Sequence, residues 1–210
     1  MEQQNRVQWV YASTNNQELE ERYDQWAREY DSDLEQDFGW ICPLRSAEAL
    51  ARHAPLDASI LDAGAGTGLA GEILSQMGYT DMVAMDLSQG MLDVAGAKGV
   101  YRSLDQMTLG ERLDYADGEF GAVISVGVMT LGHAPPSSLE ELARVTKPGG
   151  FVVYSLRADM YSPGSEFERQ QTQMENQGIW TLAEVTDPFL GLPKGEPDVY
   201  HQVWVYRING

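Results

Sequence analysis

Between Ile60 and Leu69 an apolar run ends in Asp62-Ala63-Gly64-Ala65-Gly66-Thr67-Gly68 and passes at once into a helical pattern, Leu69 to Met77. Glycine at every second position lets the backbone turn tightly and leaves room for a ligand against the peptide groups. The free N–H groups of the next helix's first turn then face whatever occupies the turn. A strand, a glycine turn and a helix in that order make a cradle for a nucleotide or a cofactor. The spacing argues against one occupant. A dinucleotide fingerprint needs a small residue three positions after its second glycine, and that position holds Leu69. An acid, Asp62, stands instead two residues before the first glycine, where a carboxylate suits a cationic ligand group better than a pyrophosphate. A second acid, Asp86, closes the apolar run that starts at Met82. It lies about twenty residues past the glycines, a place from which a carboxylate can take both hydroxyls of a ribose. The alternative is that Asp86 only caps the helix that follows.

Other reactive side chains are sparse. His133 is the one histidine placed just beyond the fourth strand, where it could act as a base or be a loop residue without a role. Cys42 is the single cysteine, so neither an internal disulfide nor a Cys/His metal site is expected. The net charge of -18 disfavours phosphate backbones and anionic lipid surfaces, and with them nucleic-acid and membrane partners. No apolar run approaches the ~18 residues a membrane helix needs. The start, Met1 to Arg6, lacks a signal peptide's pattern, so a cytoplasmic location is expected.

The elements that must position these residues alternate. A helix over Asn16 to Gln36, capped by Asn15 or Asn16, places Leu19, Tyr23, Trp26, Tyr30 and Leu34 on one face and a run of acids on the other. A second helix covers Pro43 to His53. Strands are expected at Ser59–Ala63, Met82–Leu87, Val100–Leu104, Ala122–Val126 and Phe151–Leu156, with helices at Leu69–Met77 and Gln89–Lys98. Another helix starts near Pro135, where Ser137 and Ser138 with Glu140 and Glu141 offer capping boxes. After a helix at Ser165–Gln177, strands at Trp180–Thr186 and Val199–Ile208 read as an antiparallel hairpin. Together these predict an α/β fold with a doubly wound, seven-stranded, mostly parallel sheet. At 210 residues and 43% apolar content this is one domain, 1–210, divided into an N-terminal segment 1–40 and a core 41–210.

The run Leu61 to Gly68 resembles the first motif of class I S-adenosylmethionine-dependent methyltransferases. Three more stretches match that family in order. They are the lid-like string Tyr23-Asp24-x-Trp26-Ala27-x-x-Tyr30-Asp31, the acidic end of the second strand, and Leu142-x-Arg144-Val145-x-Lys147-Pro148-Gly149-Gly150. Gly90-Met91-Leu92, Thr108-Leu109-Gly110 and Val145 to Gly150 are similar to the small methyltransferase-like proteins of the Williams–Beuren chromosomal region.

The resemblance implies a Rossmann-like fold that binds S-adenosylmethionine and releases S-adenosylhomocysteine. By position, Asp62, Gly64, Ala65, Gly66, Thr67 and Gly68 would hold the amino-acid end of the cofactor. Asp86 and Leu87 would hold the ribose, and Leu104, Asp105 and Gln106 the adenine, with Met91 also in contact. Ser125, Val126 and Gly127 would line the reacting centre. Tyr23 and Tyr30 would close over it as part of a lid, unless their helix is merely packed. His133 and Tyr30 are the catalytic candidates.

Methyl transfer mainly needs an aligned acceptor and excluded water, and a base only where the acceptor arrives protonated. The Asp/Asn-Pro-Pro-aromatic signature of nucleic-acid amino methylation is absent after the fourth strand, where Ser125-Val126-Gly127-Val128 stands. No carboxylate cluster suggests a metal-dependent type. The expectation is a metal-free enzyme acting on a small molecule, as a monomer or weak homodimer. The alternative is a non-catalytic cofactor-binding pseudoenzyme or a regulatory partner. Trp40, Tyr161, Phe167 and Trp180 suggest an apolar wall for the substrate pocket, and core packing explains each as well.

Overall fold

The structure is a computed structural model and describes residues 6–130 and 133–210; the sequence reading of Met1 to Asn5 lies outside them. Helices α1 (Arg6–Tyr11), α2 (Asn16–Asp33) and α3 (Cys42–Ala51) precede the sheet. There follow β1 (Ile60–Ala63), α4 (Leu69–Gln76), β2 (Met82–Asp86), α5 (Gln89–Ala97), β3 (Ser103–Gln106) and β4 (Phe120–Met129). The rest is α6 (Ser138–Val145), β5 (Thr146–Arg157), α7 (Glu166–Asn176), β6 (Trp180–Val185), the two-residue β7 (Phe189–Leu190) and β8 (Tyr200–Ile208). The sheet order is β3-β2-β1-β4-β5-β8-β6, with β7 beside β8. Pairs from β3 to β5 are parallel, and those of β8 with β5, β6 and β7 are antiparallel.

This arrangement follows from side chains that are apolar on both faces of the central strands, as a sheet covered by helices on each side requires. Leu61, Val123, Val152 and Tyr154 point into one core with Leu139 and Leu142 of α6 and Phe167 and Met174 of α7. Their neighbours Ile60, Ala122, Ile124 and Val153 point into the other, with Leu50 of α3 and Leu74 of α4. Among the described residues, no helix is long and apolar enough to cross a membrane.

Three expectations are corrected. The third strand starts at Ser103, not Val100, because Arg102 N is the first group to reach β2, donating to the Met82 carbonyl at 2.9 Å. Ser137 caps α6 without a side-chain bond; Glu141 turns instead to Arg144 and to Leu113 N, so no capping box forms. Tyr161, Phe167 and Trp180 pack in or against the sheet's core, with Trp180 stacked 4.0 Å from Tyr206, and only Trp40 faces a cavity. The sequence also carried no expectation of α1.

Helix α2 lies across the C-terminal ends of the strands. Asn15 caps it by accepting from Glu18 N at 2.9 Å, and its Leu19 and Trp26 pack with Val7, Val10 and Leu34 in a third apolar cluster. It continues through a π turn, Leu34–Phe38, and stops at left-handed Gly39. Asp24 docks it, one carboxylate oxygen accepting from Ser88 Oγ at 2.6 Å and Gly90 N at 2.8 Å at the start of α5. Asp31 adds Lys98 at 2.9 Å and the Thr67 hydroxyl. The approach is so close that a Cβ on Gly90 would fall 3.0 Å from the Asp24 Cα. Gly90→Ala should therefore lift α2 from α5. Hydrogen exchange by mass spectrometry should show residues 16–33 exchanging faster than wild type while β1 stays protected. Unchanged exchange in 16–33 would mean that this contact does not hold the helix.

Candidate functional site

The chain leaves β1 at the point where the sheet's connections reverse direction, and a crevice at such a point is where open α/β sheets bind ligands. The glycine turn makes its floor. Gly64 and Ala65 both donate to the Met85 carbonyl, at 2.8 and 3.0 Å, tying the turn to β2. Gly64 has φ +76°, and a Cβ there would sit 2.3 Å from Val128 of β4, so only glycine lets the two strands' ends approach. Above Gly66 nothing lies within 4 Å of where a Cβ would be: the turn opens upward.

Asp86 closes one wall. One of its carboxylate oxygens accepts from Gly66 N at 2.8 Å and the other from Ser88 N at 2.9 Å. Each oxygen still has a lone pair, since an ionised carboxylate offers about four acceptor positions. The helix cap itself is Ser88, whose hydroxyl accepts from Met91 N at 3.0 Å. Burial raises the Asp86 pKa, with the amide bonds opposing. Asp62 is deeper, about 1% exposed, and accepts from the Tyr101 hydroxyl at 2.6 Å. Burial pushes its pKa up to about 7, against the pull of the Tyr101 bond and with a contribution from the Asp86 charge.

Glycine turn, Asp86 and α2 enclose a cavity of about 680 Å³. Tyr23 and Tyr30 of α2 roof it, and the Tyr23 hydroxyl lies 2.8 Å from His133 Nε2, so the lid helix meets the loop after β4. Gly64, Gly66, Leu87, Met91, Val126 and Gly127 also line it, as does His133. Asp62, Ala65 and Thr67 instead border a smaller adjoining cavity reached by Tyr30 and Val126.

The remaining expected residues are not brought to the cavity. Gly68 is the left-handed N-cap residue of α4, packed on Tyr101 and Ala95. Ser125 is fully buried and spends its hydroxyl on the Ala63 carbonyl at 2.7 Å, stitching β4 to β1. Leu104 lies against Gly96, Asp105 holds Ser103 and Tyr115, and Gln106 donates to Glu20 and to the Leu87 carbonyl. The residues that line the cavity after β3 are Met107, Thr108 and Leu109. The string Thr108-Leu109-Gly110 was the available signal, a match that came without a role. Asn16, Leu19 and Ala134 line the cavity without any such signal. No group of three or more His, Cys, Asp or Glu side chains that could hold a metal ion occurs among the described residues.

A family model for a methyltransferase domain matches residues 61–154. The chain is 35% identical over 164 residues to methyltransferase-like protein 27 of Homo sapiens, covering 75% of this chain and 66% of that protein. It is 38% identical over 143 residues to a demethylmenaquinone methyltransferase of Mycolicibacterium vanbaalenii, covering 65% and 58%. The chain thus spans less than two thirds of the length of these relatives. In fold it is similar to an S-adenosylmethionine-dependent methyltransferase of Thermotoga maritima, described as a possible histamine N-methyltransferase. That match has TM-score 0.65 and 16% identity, covering 90% of this chain and 98% of that one.

An acid whose pKa is raised by folding binds its proton more tightly in the native than in the unfolded chain. Asp62 should therefore cost stability progressively as pH rises from about 4 to about 7. Asp62→Asn keeps an acceptor for Tyr101 and removes the charge. The difference in unfolding free energy between variant and wild type, from urea titrations, should grow in the variant's favour across that window. A difference that does not change with pH would show that Asp62 ionises normally.

Proposed function

We propose, from the premise that this chain belongs to the S-adenosylmethionine-dependent methyltransferase family, that it transfers a methyl group to a small-molecule acceptor at an N, O or S atom. The observation that carries the reading is Asp86: a half-buried carboxylate with one open lone pair on each oxygen, on the wall of an aromatic-roofed cavity over the glycine turn. That donor set fits a ribose diol, and the upward-opening Gly66 fits a ligand lying against the turn. S-adenosylmethionine supplies a methyl group on a sulfonium that is already activated. Asp86 and Leu87 would take its ribose, and Met91, Met107, Thr108 and Leu109 would flank its base. Gly64, Gly66 and the adjoining Asp62, Ala65 and Thr67 would hold its amino-acid end.

The work left to the protein is alignment and exclusion of water, worth up to about 7–11 kcal/mol of a barrier. Helix α2 serves both, because Tyr23 and Tyr30 cover the cavity from above. Burial raises both phenols' pKa values, so both stay protonated rather than serving as bases. His133, bonded to Tyr23, is the group placed to take a proton from an acceptor that arrives with one. A small acceptor is supported by the net charge of -18, which repels nucleic acid, and by the small quinone named for one curated relative. We read residues 1–40 as the lid and 41–210 as the core of a single domain, acting in the cytoplasm as a monomer or weak homodimer.

Calorimetry should show S-adenosylmethionine or S-adenosylhomocysteine binding at about micromolar affinity. Asp86→Ala should lose roughly 2–4 kcal/mol of it, through lost charge-assisted bonds and a loosened Gly66. Binding of a nicotinamide dinucleotide in their place would overturn the assignment. Turnover against a panel of small acceptors separates an enzyme from a non-catalytic binder. With a protonated acceptor, His133→Gln should lower kcat about a hundredfold or more at unchanged cofactor affinity. An unchanged kcat would remove His133 from the chemistry.

A further inference from the structure

A second cavity lies under α1 and α2 and meets the first at Tyr23, Tyr30 and Gly127, which line both. One end is aromatic. Trp26 meets Tyr30 edge-on at 4.7 Å, and Tyr30 meets Trp40 edge-on at 6.3 Å. The other end is polar and is built where β5 and β8 finish. Arg157 and His201 are register partners there, and Thr130 follows β4 beside them. Among the described residues, Arg157 is the only charged one on the cavity's wall.

Its guanidinium is held from behind. Asp159 takes Nε at 3.1 Å and Nη2 at 2.8 Å, which fixes the plane of the group, while Nη1 has Glu196 no nearer than 3.7 Å and the Tyr11 hydroxyl lies within reach of the guanidinium. Neither carboxylate reaches the cavity wall. Thr130 is 6% exposed, and its Oγ1 makes no hydrogen bond of good geometry, although it lies near enough to the Tyr11 hydroxyl to temper the rise that burial causes in that phenol's pKa. His201 is 7% exposed, and its Nδ1 has no partner. Burial and the Arg157 charge lower its pKa to about 4, so the ring is neutral and adds no second charge. Buried polar groups left unpaired in this way cost free energy that a ligand can recover.

We propose that this second cavity is the acceptor pocket, and that it selects a small molecule with an aromatic-sized apolar body and one oxyanion, a carboxylate or an ionised phenol, bound by Arg157 and Thr130. The Tyr11 hydroxyl already reaches both Arg157 and Thr130, so an oxygen placed beside it can accept from the guanidinium and the Thr130 hydroxyl, and its charge matches the cation on the wall. The body then extends between Trp26, Tyr30 and Trp40 toward Gly127, where the two cavities join. The assignment of the pocket to the acceptor rests on the methyl-transfer reading, whereas the charge preference rests on this cavity alone.

The test uses the full chain and four probes of similar body: benzoate, 4-nitrophenolate, benzamide and benzylamine. Binding is followed by quenching of tryptophan fluorescence, with and without S-adenosylhomocysteine. At least one of the two anions should bind about tenfold or more tightly than benzamide and benzylamine, and which anion it is separates the carboxylate from the phenol. A preference for benzylamine, equal binding of all four, or binding of none overturns the proposal. Thr130→Val keeps the shape and removes the hydroxyl. It should weaken the favoured anion about fivefold or more while the melting temperature holds or rises and the S-adenosylhomocysteine affinity stays. A lower melting temperature with unchanged anion binding would make the hydroxyl structural and overturn its role. Failure of S-adenosylhomocysteine to bind counts against the methyl-transfer reading, and the probes still report the charge preference in the free chain.

Discussion

One carboxylate oxygen of Asp24 holds the roof of this protein to its floor. It accepts from the hydroxyl and amide that begin α5, where the positive end of a helix dipole favours a negative charge. Each such contact is worth about 1 kcal/mol, which is small against the cost of ordering an 18-residue helix. The geometry it enforces matters more than its energy. With Asp24 seated on Gly90, the next turns of α2 bring Tyr23 over His133, Tyr30 over the glycine turn and Asp31 to Thr67 and Lys98. Each functional contact of the roof sits a fixed number of helical residues from that anchor.

The roof is stable for a second reason. Leu19, Trp26, Leu34 and the α1 residues Val7 and Val10 bury an apolar cluster that belongs to the N-terminal segment itself, apart from the two cores that flank the sheet. A cluster of that kind can move as a unit, because opening it breaks a handful of polar contacts at the edge and leaves its own packing intact. Segments that open for ligands are drawn from such weakly tied units.

Two carboxylates under the roof share an electrostatic constraint. Asp62 is buried and Asp86 half-buried; burial pushes both toward the protonated form, and the Asp86 charge adds to the rise at Asp62. Folding tolerates them because Tyr101 and the amides of Gly66 and Ser88 supply hydrogen bonds. A ligand that carries positive charge and hydroxyl donors into this space relieves both, so its binding is linked to release of protons near neutral pH. The same logic, with sign reversed, operates at the end of β5, where Arg157 is, among the described residues, the one charge facing the neighbouring cavity.

Local pattern determined a great deal here. The apolar runs of β1, β2, β4, β5 and β8 had to be strands covered on both faces. The glycine turn had to bend sharply, and the stripe from Leu19 to Leu34 had to make one helix face. From these came the sheet, the floor of the site, Asp86 and the two roof tyrosines, because each depends on residues close in the chain. What the sequence could not decide was where separate pieces meet. Leu104 to Gln106 lost their place because the extent of β3 is set by pairing with β2, not by its own composition. Ser125 had a buried partner, the Ala63 carbonyl, on another strand. Trp180 and Phe167 looked like pocket walls and became core, since an aromatic ring reads the same in either setting until its neighbours are known. Arg157, His201 and Thr130 lie 27 to 71 residues apart and carry no motif. Only the register of β5 against β8 and the end of β4 puts them around one cavity, and burial at that junction leaves Thr130 Oγ1 and His201 Nδ1 without hydrogen-bond partners.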